Sequence, residues 1–240
     1  MPDFDKCPIE WLRFNRRQHA YFVKLYEESK AMRWSGASNW GKQIESTNNL
    51  ERWKVVSVLT GAANEPQLLR KFAHANERDE QDDVIEQLLT AAKANEGRDF
   101  GSDAHRVTER ADKGLDVLED EWSVNILAKW RGALEAADIR IEPSLVERIV
   151  VVPSMRVCGT FDRLAWYKDE LHVIDLKTGS SALRYPHSMT VQLALLARAE
   201  WITDGEGERK GDSVTWTTFA RPPQVNKERG LIVWLDRGAA

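Results

Sequence analysis

The chain has few cysteines, no long apolar run and no excess of positive charge. Its two cysteines, Cys7 and Cys158, lie far apart and form no Cys-x-x-Cys pair, so a zinc ribbon and a four-cysteine iron–sulfur cluster are both excluded. No signal peptide and no run of about 18 apolar residues is found, and we therefore expect a cytoplasmic protein without membrane association. The 34 basic and 38 acidic residues give a net charge of −4, which excludes a uniformly basic coat but not a local basic patch.

The first part of the chain has helical spacing of its apolar residues. Residues 9–32 are expected to form a helix, residues 34–49 a loop, and residues 50–59 and 65–75 further helical segments. We therefore predict a helical N-terminal arm over residues 1–96, packed on a core over residues 97–240. A basic run within the first helix is either a solvated helix face or a contact to a DNA backbone. It consists of Arg13, Arg16, Arg17 and Lys24.

The composition changes after about residue 139, where β-branched residues become frequent. Three strands are predicted at about residues 147–153, 156–166 and 170–177, followed by a helix from Pro186 to about Trp201. Two more strands are expected at residues 214–219 and 231–235, with a polar turn at 204–211. The predicted fold class is therefore mixed α/β, with a central mixed β-sheet flanked by helices.

Two carboxylates and a lysine lie on the second and third predicted strands. Asp162 follows the β-rich run of residues 150–161, and Asp175 and Lys177 lie two residues apart on the next strand, so they share a face of that strand. An antiparallel return brings Asp162 opposite this pair. Like charges this close require a cation between them, and the lysine is then placed to orient a water molecule.

An earlier segment adds a histidine. Gly101 lets the backbone turn into a helix that presents His105 and, one turn later, Glu109 on one face. A single histidine on a helix is more often structural than a ligand, so a ligand role for His105 depends on the residues that surround it.

Taken together, these residues resemble the PD-(D/E)xK nuclease superfamily, and within it the RecB-type branch of phage and CRISPR-associated exonucleases. The similarity covers about residues 97–200, and it consists of Gly101-xxx-His105, Gly159-x-x-Asp162, Asp175-Leu176-Lys177 and Gln192, in that order. One departure is that Gln192 is followed at the fourth position by Leu196, where the family usually has tyrosine. The missing cysteines place the chain with the members that lack an iron–sulfur cluster.

The resemblance implies a restriction-endonuclease-like core and a Mg²⁺ or Mn²⁺ site. The implied metal ligands are the side chains of His105, Asp162 and Asp175 and the backbone carbonyl of Leu176, with Lys177 and Gln192 completing the catalytic set. Oxygen ligands suit a hard divalent ion. Three further residues rank lower: Glu147 as an outer carboxylate, and Thr178 and Arg184 as contacts to a DNA backbone.

The expected function is therefore a metal-dependent deoxyribonuclease, most simply an exonuclease in phage DNA replication, recombination or repair. A structure-specific endonuclease on the same core and a non-catalytic DNA-binding subunit remain as alternatives. Expected partners are DNA, a recombination or replication protein, and further copies of the chain in an oligomer.

Overall fold

The structure is a computed structural model, and it describes residues 6–44, 48–179 and 186–236. These residues form two compact units, one made of residues 46–104 and the other of residues 1–45 with 105–240. Within the described residues, no helix is long and apolar enough to cross a membrane. In chain order the helices and strands are β1 (Ile9–Asn15), β2 (Ala20–Leu25), β3 (Met32–Gly36), α1 (Ala37–Gln43), α2 (Asn48–Asn64), α3 (Gln67–His74), α4 (Arg78–Ala91), α5 (Glu96–Asp112), α6 (Glu121–Ala136), β4 (Arg140–Val152), β5 (Val157–Tyr167), β6 (Glu170–Lys177), α7 (Pro186–Leu196), β7 (Trp201–Thr203), β8 (Glu208–Lys210), β9 (Ser213–Trp216), β10 (Phe219–Ala220) and β11 (Leu231–Trp234).

The smaller unit is helical. Val84 and Leu88 of α4 and Ala62 of α2 form its buried apolar centre. At Gly61 a Cβ would lie 1.9 Å from the Leu88 carbonyl oxygen, so the absence of a side chain allows α2 and α4 to pack closely.

The larger unit is built on a mixed sheet. Its strand order is β10-β7-β4-β5-β3-β2-β1-β9-β8, and β6 pairs with both β5 and β11. Helices α1 and α7 contribute to a core with Val150, Phe161 and Leu164. Helix α6 packs through Trp130 and Leu134 on a separate core that includes β6. The mixed α/β class is confirmed.

The helix expected over residues 9–32 is wrong, because the structure has two antiparallel strands there. Leu12 and Val23 pair with each other and are fully buried, whereas the neighbouring pair of Arg13 and Phe22 faces outward and is exposed or partly exposed. Neighbouring residues that face opposite sides in this way are typical of a strand with one buried face. The turn between the strands is formed by Asn15, whose side-chain oxygen accepts from the Gln18 N–H (2.8 Å), and by His19 with φ of +45°. The spacing of the apolar residues in this segment fits both the helical and the strand period. Pairing with strands that are distant in the chain makes the segment β-structure.

Other boundaries also shifted. The loop expected at residues 34–49 contains the end of β3 and all of α1, and the polar turn at 204–211 contains β8. The helix from Pro186 ends at Leu196, five residues earlier than expected, because Trp201 starts β7. The three central strands are confirmed as β4, β5 and β6, and the late strands correspond to β9 and β11.

Candidate metal centre

Along one edge of β5 the pairing partner changes from β3 to β6, and Asp162 lies at the division between these two pairings. Val157 and Cys158 of β5 pair with β3, whereas the pairing with β6 begins at Arg163. The Asp162 carboxylate fills part of the gap, because its Oδ2 accepts a hydrogen bond from the Leu176 backbone N–H (2.9 Å). Asp162 is thereby held at the division between two neighbouring strands, with its side chain only partly buried.

Close packing against β5 explains why a second residue of the motif, Gly159, has no side chain. A Cβ at Gly159 would lie 2.7 Å from Leu196 Cδ2 and 3.0 Å from the Ala37 Cβ. Glycine at this position lets α7 and α1 approach β5, and the strand then carries Asp162 to its place.

A buried network orients the helix that carries the histidine. Arg163 is fully buried and donates to Asp112 Oδ2 and to Thr108 Oγ1 (2.7 Å), both on α5. The Thr108 hydroxyl in turn donates to the His105 carbonyl (3.1 Å). The Trp130 ring covers the guanidinium at 4.6 Å, and its indole N–H donates to Asp112 (3.1 Å). Because a buried charge is stable only when paired and hydrogen-bonded, this network fixes the turn of α5 on which His105 lies.

His105 therefore faces the carboxylate at the sheet division. Its Nδ1 is 3.4 Å from Asp162 Oδ2, and both side chains are partly exposed. Gly101 lies inside α5, which begins at Glu96, so the expectation that this glycine starts the helix is wrong. The placement of His105 on a helix is confirmed.

Glu147 completes the group from the opposite strand. The pairs Val146–Arg163 and Arg148–Phe161 flank it, so Glu147 lies across from Asp162 on the β4–β5 ladder. Its φ is +54°, next to a register irregularity of β4. A left-handed backbone costs a residue with a Cβ on the order of 1–2 kcal/mol. Such strain and such bulges occur preferentially at functional sites, where they redirect a side chain.

The ligand atoms of His105, Glu147 and Asp162 all lie within 4.8 Å of one another. Two carboxylates and one imidazole form a donor set that suits Mg²⁺ and Mn²⁺, with the nitrogen favouring Mn²⁺. Glu147, which ranked low in the sequence, belongs to this group, and metal binding by Asp175 stays a prediction.

The surroundings of the group disfavour an ionised Glu147. Burial raises the pKa of Glu147 to about 8, with a further contribution from the carboxylates of Asp162 and Glu109. Carboxylates directly opposite each other on paired strands repel. A bound cation would reverse this effect, since an opposite charge within a few ångströms favours the ionised form.

Asp175 and Lys177 form an ion pair beside this group. Their side chains are in direct contact on β6, where Asp175 is buried and Lys177 is partly exposed. Burial raises the pKa of Asp175, the Asp162 carboxylate raises it further, and the Lys177 ammonium opposes this. The predicted pair is therefore in place, with Asp175 acting as a partner of Lys177 in this arrangement.

The structure gives less support for a role of the remaining expected residues in the site. Helix α7 packs on β5 and β6 and carries Gln192 in a half-buried position, but in the described part of the chain no hydrogen bond joins Gln192 to the site. Thr178 is only 7% exposed, which leaves little of its side chain for a DNA backbone. Leu176 contributes its N–H to Asp162, and the role of its carbonyl stays a prediction. Arg184 lies outside the described residues.

Two features of this centre had only weak signals in the sequence. The signal for Glu147 was a charged residue inside a β-rich run, which is also common on exposed strands. The signal for the Arg163 network was Thr108 and Asp112, four residues apart and so on one helix face. Both depend on contacts between residues that are distant in the chain.

Comparison with known proteins adds no family to this description. No protein-family model matches the chain, and no curated protein sequence matches it significantly.

Proposed function

We propose that this protein is a divalent-metal-dependent nuclease that hydrolyses phosphodiester bonds in DNA. The observation that carries the proposal is the group of His105, Glu147 and Asp162 at the division of the sheet, with Lys177 on the neighbouring strand. The proposal also draws on the resemblance of the ordered motifs to RecB-type nucleases.

The centre would hold one Mg²⁺ or Mn²⁺ ion through His105, Glu147 and Asp162. Such an ion polarises the phosphate oxygens and offsets the charge that develops during attack on phosphorus. The Asp162 carboxylate is held for this task by the Leu176 N–H, and the turn of α5 that carries His105 is anchored through Thr108 and Arg163. Preorganised ligands of this kind avoid reorganisation during the reaction.

Lys177 supplies the second element of the chemistry. Its ammonium is oriented by Asp175 and is placed to hold the attacking water and to stabilise negative charge on the phosphate. Asp175 is therefore a positioning residue in this proposal.

Metal binding gives the first test. Titration calorimetry with Mn²⁺ should show binding to the wild type and none to Asp162→Asn or Glu147→Gln. Glu135→Gln, on the exposed surface of α6, is the matched control and should bind as the wild type does. Normal binding by both site variants would place any metal elsewhere and remove the basis of the proposal.

Cleavage gives the second test. Linear and covalently closed circular double-stranded DNA are each incubated with Mn²⁺, Mg²⁺ or EDTA, beside a Lys177→Ala variant. Metal-dependent loss of linear DNA alone, absent from the variant, is the expected result and indicates an exonuclease, the mode that the resemblance to phage enzymes favours. Nicking of the circle indicates an endonuclease, and a mobility shift without cleavage of either DNA would refute catalysis and indicate a binding subunit.

A further inference from the structure

The hairpin of β1 and β2 carries an unusual combination of aromatic and basic side chains on its outward face. Arg13 lies between two rings, with its guanidinium carbon 5.1 Å from the Trp11 ring centre and 5.9 Å from that of Phe22. Arg13 and Phe22 are directly paired across the strands, so they share a face of the sheet. Trp11 and Phe22 are partly exposed and Arg13 is exposed, which leaves ring surface and positive charge facing outward.

The charge of this hairpin differs from that of the whole chain. Residues 9–25, which span β1 and β2, contain four cations and one acidic residue, Glu10, which pairs with Lys24, although the chain carries a net charge of −4. Arg33 on β3 extends the same face, because it pairs with Phe22. The outward face thus runs as a continuous line from Trp11 through Arg13 and Phe22 to Arg33.

A cavity of about 270 Å³ adjoins the Arg33 end of this line. It is lined by His19, Arg33, Trp34, Ser35, Gly36 and Asn39. These residues offer several hydrogen-bond donors and no carboxylate. Since a water molecule occupies about 30 Å³ in the liquid, the cavity has room for a phosphate group with some of its hydration.

One donor at this cavity lacks a partner. Trp34 is 3% exposed, and its indole Nε1–H has no hydrogen-bond acceptor among the described residues. A buried donor without a partner is costly and uncommon. Because this N–H is closed to solvent, the donors available to a ligand are those of the exposed residues His19, Arg33, Ser35 and Asn39.

We propose that the β1–β2–β3 face and the adjoining cavity bind single-stranded DNA, with bases stacked on Trp11 and Phe22 and a backbone phosphate held in the cavity. Aromatic rings accept any base by its flat face, and arginine adds both stacking and charge. A duplex keeps its bases stacked inside and cannot use the rings in this way. The proposal extends the proposed nuclease by naming a strand-binding surface, and it requires no metal.

The test measures binding in EDTA, so that it is independent of cleavage. Fluorescence anisotropy is recorded with a labelled oligothymidylate of about 15 nucleotides, within the range that such surfaces cover, and with an abasic strand and a duplex of the same length. The wild type should bind the oligothymidylate more tightly than either alternative. Equal affinity for the abasic strand, or tighter binding of the duplex, would overturn the proposal.

Variants then locate the surface. Phe22→Leu keeps an apolar side chain but removes the ring, and it should weaken binding by about tenfold, whereas Phe22→Tyr should not. Arg33→Gln should weaken binding and reduce the dependence of log affinity on log salt by about 0.7, the value for one contact to a single strand. Trp166→Leu, at a partly exposed tryptophan of β5, is the control and should be unchanged. Wild-type affinity in both Phe22→Leu and Arg33→Gln, with unchanged melting temperatures, would place the DNA elsewhere.

Discussion

Replacing Glu147 with glutamine should stabilise the metal-free protein at high pH while removing metal binding. The substitution keeps the shape of the side chain and the left-handed backbone at this position, so it changes mainly the charge. In the absence of metal, an ionised Glu147 is buried near the carboxylates of Asp162 and Glu109. The glutamine removes the cost of placing that charge there.

The sign of the pH dependence follows from the raised pKa. Burial raises the pKa of Glu147 from 4.5 to about 8, so the folded state holds a proton that the unfolded state has already released. This contribution to stability is complete below about pH 4.5 and is lost as the pH rises to about 8. Since one pKa unit corresponds to about 1.4 kcal/mol, the loss in the free energy of unfolding is at most about 5 kcal/mol.

The assay is urea unfolding in EDTA at a series of pH values. The glutamine variant and the wild type should have similar stability at acidic pH, and the variant should become more stable by several kcal/mol near pH 8. Comparing the two proteins separates Glu147 from Asp175, whose pKa is also raised by burial. Addition of Mn²⁺ near pH 8 should raise the melting temperature of the wild type only.

Two results would refute this reasoning. A difference in stability that does not change with pH would mean that Glu147 does not titrate in this range. A variant that is less stable than the wild type near pH 8 in EDTA would mean that the ionised carboxylate has a favourable partner within the protein.

Three further predictions concern the surrounding structure and the lysine. Asp112→Ala should lower the free energy of unfolding by about 3–5 kcal/mol, because it leaves the buried charge of Arg163 without its partner. Gly159→Ala should lower the free energy of unfolding by about 1–3 kcal/mol through overpacking, whereas Gly132→Ala, where a Cβ meets open space on a helix, should raise it by about 0.5–1 kcal/mol. Urea unfolding measures the stability of these two glycine variants and of Asp112→Ala. Equal effects of the two glycine variants would contradict the packing argument. Lys177→Met should lower turnover by a factor of roughly 100 in the cleavage assay with Mn²⁺ affinity preserved, and unchanged turnover would remove the lysine from the mechanism.

The sequence alone was sufficient where local pattern and local structure agree. The strands β4, β5 and β6 are marked by β-branched runs and turn residues. The placement of Asp175 and Lys177 on one strand face required only the two-residue repeat of a strand, and their ion pair follows from it.

The N-terminal strands β1, β2 and β3 could not be predicted from the sequence in the same way. Their apolar residues are compatible with a helix, and what makes them strands is pairing with partners far along the chain, such as β1 with β9 and β3 with β5. The intrinsic preference of residues for helix or strand is a weak guide to secondary structure when tertiary pairing opposes it. The same pairing creates the outward aromatic face, which a helix would have dispersed around its axis.

The sequence by itself indicated side chains for a metal centre and its neighbouring cation, since His105, Asp162 and Lys177 stand in an order and on elements that fit such a site. The tertiary structure alone decided which carboxylates meet. Glu147 enters the group because a strained position on β4 lies opposite Asp162, and the turn of α5 that carries His105 is anchored by the buried Arg163 through Thr108. Distances of this kind are set by packing between residues that are far apart in the chain, and a linear pattern does not contain them.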